Sequence, residues 1–364
     1  MPSIIIWDVN PEIIQIGSFS IRWYGLLFAL AFLIGQQIMY KIYELENKSK
    51  LLVDTLTIWM VTATVIGARL GHCIFYEPDI YLKDPIRILK IWEGGLASHG
   101  AAIAIILAIW FYSKKYKDQP FLWLLDRLVI TIALAGAFIR LGNLMNSEII
   151  GKTTQCNFGF VFTRSVKDNL FHYFESNKPH LPALKKISFE KIDNLKSTNK
   201  GVPMYMRLHF SKSVPEQQLL QFSLTPFFNL LDGPDEDDHN HVDVDPQTKL
   251  SVYESNKFRI LEMQVIGKPR HPAQLYESVS CIILMIILGS IYLRLKNKVP
   301  NGLLLGFFMF YCFTLRFFYE FLKENQVSFE NRLILNMGQT LSIPFIIIGI
   351  FLIGRSFYYQ KHKK

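Results

Sequence analysis

Seven stretches of this chain, at 18–40, 52–75, 97–113, 121–144, 273–293, 302–322 and 338–358, stay apolar over most of their length. A helix needs about 20 such residues to cross a bilayer. No other feature constrains the fold as tightly. Backbone groups in lipid have to bond to one another, so only helices and closed barrels can span. The stretches lack the two-residue alternation of a barrel strand, which leaves helices. The expectation is an all-α integral membrane protein with seven transmembrane helices and an extended external region between helices 4 and 5. Composition agrees, with half of the residues hydrophobic and 14% aromatic.

Orientation follows from the basic residues. Lys41, Lys48 and Lys50 follow the first stretch, Lys114, Lys115 and Lys117 the third, Arg294, Lys296 and Lys298 the fifth, and Lys361, Lys363 and Lys364 end the chain. Seven spans put all of these groups on one side. The positive-inside rule makes that side cytoplasmic, with the N-terminus external and the C-terminus cytoplasmic. This arrangement accounts for the net charge of +9 without a nucleic-acid partner. The start, MPSIIIWDVNPEI, has no basic segment ahead of an apolar core, so no removable signal peptide is expected.

The domain expectation has residues 1–151 carrying helices 1–4, 152–268 forming an external head, and 269–364 carrying helices 5–7. Short clusters in the head, FGFVFTR, YMRLHF, LLQFSL and FRILEMQVIG, could fold as a small β-rich body. Its acidic stretch, with Asp235, Glu236, Asp237, Asp238, His239 and His241, lacks the spacing of a calcium loop. It reads as a solvated loop, and no metal is expected. Cys73, Cys156, Cys281 and Cys312 show no metal-ligand spacing. Three of them lie in apolar stretches and read as packing residues.

Polar residues gather where the stretches meet the expected outer surface. Arg22, Trp23 and Tyr24 open the first. This trio could equally be an interfacial anchor. WEGGLASHG, 92–100, brings His99 to the first turn of the third stretch behind Gly94 and Gly95, where it is placed for a base or for a structural role. ALAGAFIRLGNLMNSEIIG, 133–151, sets Arg140, Asn143 and Ser147 three and four residues apart, on one helical face. A guanidinium beside amide donors suits a phosphate, and an internal ion pair of Arg140 with Glu148 or Asp126 is the alternative. KPRHPAQLYE, 268–277, brings Arg270 and His271 to the start of the fifth stretch. Together these clusters suit an anionic lipid headgroup.

Motifs in order along nearly all the spans carry a closer likeness: IRWYG, GARLGHCIFY, DPIRILKIWEGGLASHG, RLGNLMNSEIIG, RHPAQLYE, LRFFYEFLKE and MGQTLSIP. The chain resembles the prolipoprotein diacylglyceryl transferase family. It departs from the family pattern at Ile139, Leu144 and Ala101, and the likeness does not cover about 165–262. The resemblance implies transfer of the diacylglyceryl group of phosphatidylglycerol to the lipobox cysteine of a prolipoprotein signal peptide, forming a thioether and releasing glycerol phosphate. It implies no cofactor, and a bacterial inner-membrane location among membrane lipids. It also implies catalytic roles for Tyr24, His99, Arg140 and Arg270, and substrate-binding roles for Arg140, Asn143, Glu148, Gly151 and Arg270. A thiol attacks as its thiolate, which gives His99 a use as base. Negative charge grows on the departing phosphate, which gives the arginines theirs. Asn143 and Glu148 are expected to hold Arg140 in place. The region 165–262 is expected to be dispensable for chemistry, because lengthening a surface loop costs little closure entropy.

Two other classes fit the spans: a flippase for an anionic lipid and a seven-span receptor. The first should show two related halves with broken helices, and no such symmetry is visible in the sequence. The second has no need for polar clusters at four outer helix ends.

Overall fold

The computed structural model describes residues 3–17, 19–91, 94–156, 158–177, 181–192, 201–220, 241–244, 248–323 and 335–362. In chain order its helices are α1 Trp23–Leu45, α2 Lys50–Phe75, α3 Pro78–Lys83, α4 Ser98–Lys115, α5 Phe121–Met145, α6 Arg164–Ser176, α7 Glu216–Leu220, α8 Ala273–Leu295, α9 Leu303–Tyr319 and α10 Met337–His362. Its strands are β1 Ser3–Trp7, β2 Glu12–Ile16, β3 Phe19–Arg22, β4 Phe158–Phe162, β5 Leu184–Lys191, β6 Val202–Phe210, β7 Val242–Asp243, β8 Ser251–Glu254 and β9 Arg259–Gly267.

Among the described residues six helices are long and apolar enough to cross a membrane: α1, α2, α5, α8, α9 and α10. The chain is a multi-pass membrane protein. The expected seventh span corresponds to α4, whose 18 residues include Ser98 and His99 at one end and Lys114 and Lys115 at the other. Those polar ends dilute its hydropathy. The first span begins later than expected, since 19–22 belongs to a hairpin that turns at Gly17, φ 62°, and pairs β2 with β3.

An all-α description is too narrow, because the chain also builds sheets. It folds as two compact units, one of 1–24, 141–276 and 318–337 and one of 25–140, 277–317 and 338–364.

The second unit is helical. Its core gathers Tyr43, Leu56, Ile109, Tyr112, Leu124 and Leu288. Two buried carboxylates inside it gather donors from other helices, as a water-poor setting favours. Glu46 accepts from Arg127 Nε at 3.0 Å, Trp123 Nε1 at 3.2 Å and the Tyr292 hydroxyl at 2.9 Å. Asp126 takes the backbone N–H of Gly302 at 2.6 Å and of Leu305 at 2.9 Å, capping the start of α9 from another helix. Helices α2 and α4 cross through small residues. A Cβ on Gly71 would lie 2.7 Å from Gly100 Cα, and one on Gly100 would lie 2.6 Å from Gly71 Cα. Their backbones touch because neither has a side chain there.

The first unit holds the sheets. β5, β6, β9 and β7 pair in that order, with β8 also on β9, and β1 runs parallel to β4. Alternate residues of β6, Val202, Met204, Met206, Leu208 and Phe210, face a core shared with Val166, Leu170 and Phe174 of α6. These are the two periods expected of a strand and a helix sharing one interface. The same core takes Val161 from β4 and Val265 from β9. The region 165–262 is therefore woven into the unit. The expectation of a removable surface insertion misses this, because the chain returns through β9 to Arg270. Asp235, Glu236, Asp237, Asp238 and His239 lie outside the described residues. His241 is buried, with its ring 6.4 Å from that of Phe162. Among the described residues no group of His, Cys, Asp and Glu is arranged to hold a metal.

Candidate active site

In the first unit three distant segments are drawn together at Gly151. Lys152 N–H donates to the Leu322 carbonyl at 2.7 Å, His271 N–H to Lys152 at 3.0 Å, and Thr154 N–H to Pro269 at 2.8 Å. On its other side Arg270 exchanges backbone bonds with Phe160 at 2.8 and 2.9 Å. This ladder holds Arg270 fully buried, and its Nη1 lies 3.4 Å from the Gly151 carbonyl. Gly151 permits the approach: a Cβ there would come within 2.8 Å of His271 Cβ and 3.0 Å of the Leu322 carbonyl. Burial lowers the pKa of His271, so its imidazole favours the neutral form.

Helix α5 ends in the same unit at a strained turn. Ser147 and Ile149 adopt positive φ, 55° and 57°, and a β-branched residue there needs outside support. It comes from Glu148, whose carboxylate accepts from Asn143 Nδ2 and Asn146 Nδ2, each at 3.1 Å. The Glu148 carbonyl accepts from Gln274 Nε2 at 2.5 Å. Tyr24 packs on the same helix end, where a Cβ on Gly142 would meet its ring at 2.7 Å. Trp7 Nε1 donates to the Leu144 carbonyl at 2.9 Å. The N-terminal strand thus ties down the end of α5.

The second unit carries Arg140 and His99. Arg140 has a carboxylate partner, and it is Glu277, 2.5 Å from Nε. The sequence reading considers Glu148 and Asp126 for that ion pair. In the structure Asp126 caps α9 and Glu148 braces the turn after α5. His99 is exposed on the first turn of α4, with its ring 5.1 Å from Phe75 and 5.7 Å from Tyr76 at the end of α2. The loop before it is anchored by Arg69, a residue only 2% exposed. Its Nε donates to Ile88 at 2.9 Å, Nη2 to Arg87 at 2.6 Å and Lys90 at 3.1 Å, and Nη1 to Gly94 and Gly95. One buried guanidinium spends its donors on backbone carbonyls and fixes the path into α4.

The family model for prolipoprotein diacylglyceryl transferase matches residues 11–355. This chain belongs to that family. A phosphatidylglycerol–prolipoprotein diacylglyceryl transferase of Tolumonas auensis is 34% identical over 348 residues, covering 96% of each chain. Its counterpart in Chloroherpeton thalassium is 33% identical over 354 residues, 97% of this chain and 95% of the relative. One from Bacteroides fragilis is 30% identical over 369 residues, 98% and 96%. Coverage that complete means these family members extend through the long head as well.

Of the residues singled out from the sequence of this diacylglyceryl transferase family member, Tyr24, Asn143, Glu148, Gly151 and Arg270 fall in the first unit, His99 and Arg140 in the second. The sequence reading counted Gln274 and Glu277 in the polar cluster 268–277 but gave them no role, and it did not single out Arg69. The signal for Arg69 was present, because a charge inside GARLG breaks an apolar run just as Arg140 does.

Proposed function

We propose that this chain transfers the diacylglyceryl group of phosphatidylglycerol to the lipobox cysteine of prolipoproteins, the first step of lipoprotein maturation. The observation that carries the reading is a guanidinium, Arg270, held without solvent exposure by backbone pairing to Thr153 and Phe160 in a member of this family. A buried cation of that kind suits an anionic substrate.

The substrate thiolate attacks the glycerol carbon that bears the phosphodiester. A carbon–sulfur bond forms and the carbon–oxygen bond breaks, its electron pair leaving on glycerol phosphate. The leaving group gains a negative charge, and fixed cations in a water-poor setting stabilise that gain. Arg270 and Arg140 are assigned to the phosphate, with Glu277 orienting Arg140. His99 takes the thiol proton, and Tyr24 orients the lipid or the base. Asn143, Glu148 and Gly151 hold the segments that present these groups. No cofactor enters the scheme. Seven spans, an external N-terminus and a cytoplasmic C-terminus in a bacterial inner membrane put the clusters on the side where prolipoproteins emerge.

The test is an assay of the purified chain with phosphatidylglycerol and a lipobox peptide. The expected product is the peptide heavier by one diacylglyceryl group on cysteine, with glycerol phosphate released. An unmodified peptide would reject the reading. Lipid movement across vesicles without that product would favour a flippase.

A further inference from the structure

Between α2 and α4 the chain exposes a run of apolar side chains. Helix α3 and the 3-10 turn Pro85–Leu89 that follows it present Ile80, Leu82, Ile86 and Leu89, and Ile91 and Leu96 continue the series. Leu82 is 78% exposed, Ile86 70% and Leu89 75%. Ile86 and Leu89 stand three apart, which puts them on one side of a 3-10 turn. Large apolar side chains gathered on a surface mark a contact with a partner or a membrane.

The run continues a surface that lipid already covers. Helix α2 is one of the six long and apolar enough to cross a membrane. Its exposed Ile66, Leu70 and Ile74, four residues apart on one face, lead through Phe75 and Tyr76 into the segment. Depth points the same way. The Ala97 N–H donates to the Ala68 carbonyl at 2.9 Å, so the chain that leaves the end of α2 returns to α4 about 10 Å further down that helix. Amphipathic elements at a bilayer surface lie over a similar depth.

The backbone is provided for as lipid requires. Arg69 of α2 donates to the carbonyls of Arg87, Ile88, Lys90, Gly94 and Gly95. Its guanidinium also lies 5.0 Å from the ring centre of Tyr81, the buried side chain of α3. A loop in water has that solvent for its carbonyls, whereas irregular backbone beside hydrocarbon needs donors from the protein.

We infer that the segment from Pro78 to Ile91, with Leu96, is seated in the interfacial layer of the bilayer at the end of α2. Its leucines and isoleucines lie among lipid acyl chains, and Lys83, Asp84, Arg87 and Lys90 reach the headgroups. His99, exposed beside Phe75 and Tyr76, then stands where phospholipid headgroups meet acyl chains. The inference rests on α2 crossing the membrane and is independent of the transferase reading.

The test measures depth in vesicles of phosphatidylethanolamine and phosphatidylglycerol. In a chain whose four cysteines are replaced by Ser or Ala, a nitroxide is attached through Leu82→Cys, Ile86→Cys or Leu89→Cys. Ile58→Cys, on an exposed position of α2, sets the value for lipid, and Ser213→Cys, on an exposed position of the sheet-bearing unit, the value for water. Collisions with oxygen, which concentrates in lipid, should exceed those with a water-soluble nickel chelate several-fold more at Leu82, Ile86 and Leu89 than at Ser213. Nickel access equal to that at Ser213 would put the segment in water and overturn the inference. Protection from both reagents would show a covering of protein, which overturns it as well. The unsubstituted chain gives a second readout. Phosphatidylglycerol with a photoactivatable diazirine on its acyl chain should label peptides within 78–91, and labelling confined to the spanning helices would reject a lipid contact there.

Discussion

Arg270 and Arg140 are held differently. Arg270 is fixed through its own backbone, which the ladder at 151–154 and 160 clamps from two sides, while Arg140 is held through its side chain by Glu277. A lysine keeps the charge at either position but loses the planar fork. Arg270→Lys and Arg140→Lys should each lower kcat/KM by about tenfold or more while the protein still accumulates in membranes. Near-normal turnover in either variant removes that arginine from the phosphate role. His99 calls for a different measurement. A thiol of pKa about 8.5 is roughly 3% ionised at pH 7 and half ionised at pH 8.5, so raising the pH does the work of a base. If His99 removes the thiol proton, the deficit of His99→Gln should shrink by about an order of magnitude over that interval. A deficit that stays constant with pH would assign His99 to structure or to lipid positioning.

At the scale of elements, the crossing of α2 and α4 decides where His99 stands. Gly71 and Gly100 bring the two backbones together, and Arg69 on α2 fixes the loop that leads into α4. A methyl at position 100 has no space, so the helices must separate. Gly100→Ala should cost about 1 to 3 kcal/mol, the usual range for overpacking, read as a lower melting temperature in detergent. Activity should fall as well, because the first turn of α4 would shift. Unchanged melting would show that the crossing is loose. The glycines and the buried arginine were visible in GARLG and ASHG, and so was the helical character of both segments. Which glycine faces which depends on the crossing, and one chain read alone does not contain that.

Across the whole molecule, legibility followed the range of the interaction. The apolar stretches announce their helices because lipid imposes a length and a polarity on each one separately. Arg140, Asn143 and Arg270 stand out as charges and amides against an apolar background. The pairing of Arg140 with Glu277, of β1 with β4, and of Gly151 with Lys323 joins residues far apart in sequence, and nothing local marks such partners. The same limit applies to 165–262, which looks like a polar insertion from its composition. In the structure a linker replacing it would remove nearly all of α6, together with β5, β6, α7, β7 and β8, and cut β9 after Glu262. The remaining Met263 and Val265 would lose the strand they pair with and, together with Val161, the core they fill. Losing several fully buried apolar side chains removes about 1.5 to 3 kcal/mol each, more in total than a typical domain can spare. Because β9 runs directly into Pro269 and Arg270, the loss should reach the ladder that holds the guanidinium. The expected outcome of replacing 165–262 by a short flexible linker is poor accumulation in membranes and no lipidated peptide. A variant that accumulates normally and still lipidates the peptide would show that β4 and the segment 268–271 hold Arg270 without the sheet.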